Sequence, residues 1–277
     1  MTYRSMLVAL DATPANAPRI DTAIALARAF ESHLIGLAPA VAVDLQALQV
    51  AAAMDDYAAR ASAAMIARAR DLAHHFHDRC NAAGLRSFEA LADKRPAPES
   101  VPAHAQCADL LVMSQPDPSL PNYRQHLADL EQVLMSCARP ALLVPYNQRE
   151  PLRMRRAMVT WDGSRESVRA MTDALPLLRR AESVALIHWR APANDNRTLE
   201  RLDCLRQWLA FQGVEAEPHD EATTLAVGDA LLNSASDLGS DLIVMGAYGH
   251  ARWAERLFGG VSRSLLQTMT VPVLMSH

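Results

Sequence analysis

The amino-acid sequence predicts an α/β fold made of two tandem Rossmann-like domains, and three observations carry that prediction. The chain has 277 residues, half of them apolar and 21% charged, which suffices for two ordinary globular domains. Short, continuously apolar runs such as residues 110–113 and 242–245 alternate with helical segments, a pattern typical of parallel strands buried on both faces. The third observation is that these segments recur in the same order. Each copy is therefore predicted to be a five-stranded parallel sheet flanked by helices.

The repeat is visible at three places along the chain. The strand that ends at Asp162 lies 151 residues after the similar strand that ends at Asp11. The segment 241–245 follows its match, 109–113, by 132 residues, and the apolar segments that begin at Pro140 and Pro272 are also 132 residues apart. The smaller second offset places extra residues between the first and fourth strands of the first copy.

The extra residues are predicted to be helical. Residues 41–83 contain no glycine or proline and are rich in alanine, so we expect one long helix or two stacked helices there. The corresponding helix of the second copy is shorter, about residues 197–212, and stops before Gly213.

A polar, proline-containing segment sets the domain limits, and the charge and the lengths of the apolar runs exclude two kinds of partner. A polar stretch with Pro151 divides the chain into domains 1–147 and 153–277. The net charge is −4 and there is no basic stripe, so no nucleic-acid partner is expected. No apolar run approaches the ~20 residues of a membrane span, and the first residues do not resemble a signal peptide. We therefore expect a cytoplasmic protein with no membrane partner.

One loop carries the features of a phosphate site. The segment after the fourth strand of the second copy supplies six candidate residues: Gly246, Gly249, Gly259, Gly260, Val261 and Ser262. Glycines let the backbone approach an oxyanion closely, and the predicted helix 261–269 would offer its unpaired N–H groups and the hydroxyl of Ser262. His250 and Arg252 lie where a cation could reach a phosphate. The alternative is that these glycines only form turns.

At these residues the sequence resembles the universal stress protein family in its tandem form. Nucleotide-binding members have Gly-x2-Gly-x9-Gly-[Ser/Thr] after the fourth strand, and the pattern falls here on Gly246, Gly249 and Gly259. The resemblance places Asp162 beside the adenine. It implies that the second domain binds ATP or another adenine nucleotide, with Mg²⁺ accompanying the nucleotide, and that the protein regulates a stress response.

The sequence departs from the family pattern at two positions. Gly260 stands where Ser or Thr is expected, which removes a hydroxyl contact worth roughly 1–3 kcal/mol and predicts weaker phosphate binding. Trp189 follows the predicted second strand, where the family has a small aliphatic residue. Its ring could stack on the base or fill the pocket, and the sequence leaves both alternatives open.

The first copy lacks the loop. The offset of 132 places Ser114, Asp117 and Leu127 at the three glycine positions, and Asp117 would repel a phosphate. We therefore predict that the nucleotide site lies in the second domain alone.

Two other functions stay open, an interaction scaffold without nucleotide and a slow ATPase. Hydrolysis would need a base, for which only His250 and Asp162 are candidates. Because the chain offers no convincing pair of nucleophile and base, an enzyme is not the leading interpretation. We expect the apolar fifth strands, residues 141–144 and 271–274, to pack together as an internal pseudo-dimer. Because Pro272 lacks an N–H, side-chain packing should contribute more there than a full ladder. A homodimer and an unknown protein partner also stay open.

Overall fold

The computed structural model describes residues 2–40, 55–190, 196–223, 225–247 and 260–277. The first half of the chain contains β1 (Ser5–Ala9), α1 (Asn16–Phe30), β2 (His33–Pro39), α2 (Asp55–Ala82), β3 (Phe88–Asp93), α3 (Ala97–Ala105), β4 (Leu110–Ser114), α4 (Tyr123–Ser136) and β5 (Ala141–Val144). The second half contains β6 (Arg156–Thr160), α5 (Arg165–Leu178), β7 (Ser183–Arg190), α6 (Asn196–Phe211), β8 (Ala216–Ala222), α7 (Val227–Asp237), β9 (Leu242–Gly246), α8 (Gly260–Thr268) and β10 (Val273–Ser276).

The strands form one ten-stranded sheet in the order β3-β2-β1-β4-β5-β10-β9-β6-β7-β8. Within each half all neighbouring strands are parallel, which confirms the predicted α/β fold with five parallel strands per copy. The repeat offsets also hold, since β9 and β10 begin 132 residues after β4 and β5. The predicted long helix appears as α2, while the first part of that prediction, residues 41–54, lies outside the described residues.

Helices cover the sheet on both faces and enclose two apolar clusters. One cluster lies between the sheet and α1, α2, α5 and α6, and the other lies between the sheet and α3, α4, α7 and α8. Both faces of each central strand are therefore buried, which explains why these strands are continuously apolar. No helix within the described ranges is long and apolar enough to cross a membrane.

The two halves meet at their fifth strands, as predicted. β5 and β10 are antiparallel, and Leu142 pairs with Leu274, the residue 132 positions later, so an approximate two-fold axis passes between them. Pro272 takes no part in this ladder, and the expectation that side-chain packing contributes more than the ladder stays a prediction. β10 begins after Pro272, and three residue pairs join the strands. The sheet is therefore continuous through the junction.

Side chains on both faces of the sheet connect the halves further. On one face the Tyr3 hydroxyl donates to the Asp173 carbonyl at 2.7 Å, and the Arg180 guanidinium lies 4.8 Å from the centre of the Phe30 ring. On the other face Glu131 of α4 and Arg263 of α8 form an ion pair at 3.5 Å. These two helices therefore contact each other across the approximate axis.

Candidate functional site

An aspartate turn precedes the first helix of the second half. Asp162 follows β6, and its Oδ1 accepts hydrogen bonds from the Ser164 amide at 3.0 Å and the Ser164 hydroxyl at 2.6 Å. The Ser164 hydroxyl in turn accepts from the Ser167 amide, so Ser164 caps α5. Asp162 thus helps to fix where α5 begins, at the carboxyl edge of the sheet. Its predicted position beside an adenine stays a prediction.

Gly246 is the last residue of β9 and lies directly beneath the first turn of α5. A Cβ at this position would lie 2.5 Å from the Ser167 nitrogen and 2.6 Å from the Glu166 carbonyl carbon. Both distances are far below van der Waals contact, and both obstructing atoms belong to the backbone. Glycine is therefore required here by strand–helix packing, apart from any contact with a ligand.

The end of the predicted loop is the start of α8, within one residue of the sequence prediction. Gly260 is the first residue of this helix. Val261 packs against the apolar cluster beneath it, and Ser262 is only 4% exposed. Gly249, His250 and Gly259 lie outside the described residues, so their predicted roles stay predictions.

The position of Trp189 corrects one part of the sequence analysis. The residue lies inside β7 rather than after it, opposite Glu221 of β8. The strand is longer than the apolar run suggested because it continues through polar residues beside β8. Trp189 is half-buried and packs against the cluster on the α7 and α8 face. It therefore lies on the face that carries α8, and both predicted roles of its ring stay open.

Glu166 is a residue that the sequence analysis did not identify. Its side chain is 6% exposed and pairs with Arg165. Burial acts to raise the pKa of this carboxyl, but the hydrogen bond from Arg165 and its own amide outweigh burial, so the pKa lies below the ordinary value. An acid in the first turn of a helix is common because it suits the helix dipole, so no sequence pattern distinguished Glu166.

The first half repeats this frame with different side chains. Asp11 Oδ1 accepts from the amide and hydroxyl of Thr13 at 2.8 and 2.6 Å, as Asp162 does from its serine. At the position that matches Gly246, the Ser114 hydroxyl donates to the Ala15 carbonyl at 3.3 Å. The strand end thus faces the start of the helix in both halves, but the first half accommodates a side chain there.

The first half also contains a cavity that the sequence analysis did not predict. The cavity has a volume of about 130 Å³ and lies at the carboxyl ends of β1, β2 and β4. Two nearly buried polar side chains line it, Arg19 of α1 and Gln115, which follows β4. Neither residue belongs to a recognisable motif, which is why the sequence did not reveal them.

Two parallel half-sheets, with helices beginning at their carboxyl edges, define a two-domain Rossmann-like α/β protein. Residues 154–277 match the model of the universal stress protein family. The second half thus belongs to that family and the first half repeats its fold, which confirms the resemblance found in the sequence.

Two solved structures that span nearly the whole chain have the same fold. A universal stress protein from Archaeoglobus fulgidus DSM 4304 is 16% identical, covers 98% of this chain and 95% of its own, and gives a TM-score of 0.73. A protein of unknown function from Pseudomonas aeruginosa PAO1 is 18% identical, with 99% and 92% coverage and a TM-score of 0.62. A shorter universal stress protein, solved in complex with cAMP, is 25% identical, covers 44% of this chain and 96% of its own, and has a TM-score of 0.38. No curated protein matches the chain.

Proposed function

We propose that the second half binds an adenine nucleotide, ATP, ADP or AMP, and that the protein acts as a nucleotide-dependent regulator of a stress response. One observation carries the proposal: α5 and α8 both begin at the carboxyl edge of the second half-sheet, the edge at which Gly246 lies against the first turn of α5. In open parallel sheets this edge is where ligands bind.

The chemistry of the helix ends favours phosphate. The first turn of α8 presents N–H groups that no carbonyl of the same helix can satisfy, together with a partial positive charge. The first residue of α8 is Gly260, which has no side chain to keep a phosphate from its backbone. Mg²⁺ would arrive with the nucleotide, bound to its phosphates.

Substitutions at Gly260 test the proposal. Gly260→Ser adds the hydroxyl that the family pattern has, and several-fold tighter ATP binding is expected. Gly260→Asp places a carboxylate at the start of α8, which suits the helix dipole but repels phosphate, so ATP binding should weaken at least about tenfold. Isothermal titration of the full chain with ATP, ADP and AMP measures both effects.

The first half supplies a matched control. Ala128 of α4 occupies the position that corresponds to Gly260, and it is exposed. Ala128→Asp adds the same charge and should leave nucleotide affinity unchanged. If Gly260→Asp and Ala128→Asp alter ATP affinity equally, or if Gly260→Ser has no effect, the phosphates do not bind at the start of α8.

The interaction scaffold is the second candidate function. Trp189 packs against the core, and strand–helix packing alone accounts for Gly246, so these two residues are also compatible with a domain that holds no nucleotide. The scaffold predicts that the wild-type chain and Gly260→Ser both fail to bind ATP, ADP and AMP. Mass spectrometry of small molecules released from the purified, denatured protein distinguishes the two functions independently, because only the regulator should carry an adenine nucleotide.

A further inference from the structure

We propose that the first half has a ligand site of its own, the cavity beside Arg19 and Gln115, and that it takes an uncharged, single-ring molecule with a carbonyl or amide oxygen. This site is separate from the proposed nucleotide site and lies in the other half of the chain. The cavity lies where the strand order of the first half reverses, between β1 and β4, the usual ligand position in a doubly wound sheet.

Two residues that line the cavity have buried N–H donors without acceptors among the described residues. Arg19 is 2% exposed, and its Nη2 contacts Asp11 and Asn16, each at 2.8 Å. Its Nε has no acceptor among the described residues. Gln115 is 1% exposed, its Oε1 accepts from the Tyr146 amide at 3.4 Å, and within the same part of the chain its Nε2 also has no acceptor. Buried donors without acceptors are costly, so both groups call for an oxygen from a ligand.

The remaining wall sets the size and the apolar character of the ligand. Leu10, Met113, Leu130 and Val133 supply apolar surface. An engineered apolar cavity of about 150 Å³ holds one benzene molecule, so about 130 Å³ holds roughly one ring. A bicyclic base with a ribose and phosphates is much larger, which excludes an enclosed adenine nucleotide.

The charges around the cavity favour an uncharged acceptor over an anion. The positive charge of Arg19 is balanced by Asp11, with which it forms an ion pair. Two further carboxylates, Asp117 and Asp129, line the cavity together with His126. An anionic ligand would meet this excess of negative charge, whereas an uncharged carbonyl or amide oxygen can accept from one of these donors without that repulsion.

The donors are specific to the first half. The residue that corresponds to Arg19 in the second half is Ala170, and the one that corresponds to Gln115 is Ala247. Both alanines are buried in apolar surroundings. At the same edge of the fold, the first half therefore has side-chain hydrogen-bond donors at two positions where the second half has alanine.

Three isosteric probes test the inference on the full chain: benzamide, benzoate and benzamidinium, which share a ring and a planar substituent but differ in charge. Binding is followed by methyl NMR of the methionines. Benzamide should shift the signal of Met113, in the cavity wall, but not that of Met245 of β9, and should bind at least about fivefold more tightly than either charged probe. The proposal would be overturned if benzoate bound more tightly than benzamide or if AMP displaced benzamide. It would also be overturned if no probe shifted the Met113 signal, because the cavity would then hold only water.

Two variants place the probe in the cavity. Gln115→Glu keeps the oxygen that accepts from Tyr146 but removes the free donor, and should weaken benzamide binding at least about fivefold. Gln148→Glu makes the same change at a partly exposed residue that does not line the cavity and should have no effect. Ala97→Leu extends a partly buried wall residue into the cavity and should abolish binding even if Gln115→Glu fails to fold. Unchanged affinity in Ala97→Leu would place the probe elsewhere.

Discussion

The two halves of the chain share a backbone frame and differ in what they place on it. In both, an aspartate after the first strand accepts two hydrogen bonds from a Ser or Thr two residues later, and in the second half this serine also caps the next helix. The fourth strand then ends against that helix. The first half has Ser114 at this point and the second has Gly246.

The difference shows that duplication preserved the turns and strand positions, while the carboxyl edge changed. The buried guanidinium of Arg19 replaces the methyl group of Ala170, and a cavity lies beside it. The second half has instead kept the glycines of its family. Four predictions test how this difference affects the stability of the chain, beginning with the largest expected effect.

The largest effect is expected where the strand end meets the helix. Gly246→Ala forces a Cβ against the backbone of α5 and should lower the free energy of unfolding by about 1–3 kcal/mol. Ser114→Ala keeps a Cβ that the first half already accommodates and loses one long hydrogen bond, which costs about 1 kcal/mol or less. Urea denaturation measures both. Equal losses would show that the two junctions are packed alike.

The ion pair between the buried Arg19 and the partly exposed Asp11 should give the first half an acid sensitivity at a position where the second half has Ala170. Burial acts to raise the pKa of Asp11, but Arg19 and the hydrogen bonds from Thr13 outweigh it, so the pKa lies below the ordinary value of 3.8. The stabilisation linked to this lowered pKa is complete above the ordinary, unfolded-state pKa. It is lost as the pH falls through the folded-state pKa.

Because Asp11 is partly exposed and its charge is screened by solvent, Arg19→Met should destabilise the chain by only about 1 kcal/mol at pH 7, and the difference from wild type should shrink below about pH 4. Arg153→Met removes an exposed pair with Glu150 and serves as the control, with little effect expected at either pH. A difference between Arg19→Met and wild type that is independent of pH would show that packing, rather than the ion pair, is responsible.

Tyr3 connects the halves from one side only, because the corresponding residue of the second half is Met154. Burial, followed by the charges of Asp173 and Asp109, raises the pKa of Tyr3 well above its ordinary value of 10.0. The stabilisation linked to this shift is complete below pH 10 and is lost as the pH rises further, because the unfolded chain ionises first.

Tyr3→Phe should cost about 1 kcal/mol at neutral pH and should reduce the loss of stability above pH 10. Thermal unfolding at several pH values from 7 to 11 measures both effects. Tyr146→Phe is the matched control, at a partly exposed tyrosine. An alkaline profile identical to wild type would rule out Tyr3 as the group that titrates.

The smallest effect concerns the ion pair across the approximate axis. Glu131 and Arg263 are 132 residues apart and therefore occupy corresponding positions, which in two identical subunits would place like charges together. In a tandem chain the two copies can differ, and here they carry opposite charges. A double-mutant cycle with Glu131→Gln and Arg263→Gln should give a coupling energy of about 0.5 kcal/mol that decreases with salt, since Arg263 is half-exposed. No coupling would mean that the opposite charges do not help to join the halves.

The sequence by itself determined the repeat, the α/β class, the five strands of each copy, the long helix α2, the end of α6 and the start of α8. These follow from local patterns: apolar runs of strand length, a segment without glycine or proline, and Gly213, which has φ of 74° after α6. It also indicated that the fifth strands would meet, because their apolar edges needed cover.

Only the tertiary structure decided what depends on residues far apart in the chain. The packing requirement at Gly246 arises from Ser167 of α5, and the place of Trp189 arises from the length of the pairing with β8. The cavity exists because Arg19 and Gln115, ordinary in sequence, come to one edge of the sheet without acceptors for all their donors. Local patterns specify elements because they act over a few residues, whereas steric contact and unsatisfied buried donors exist only once the elements have packed together.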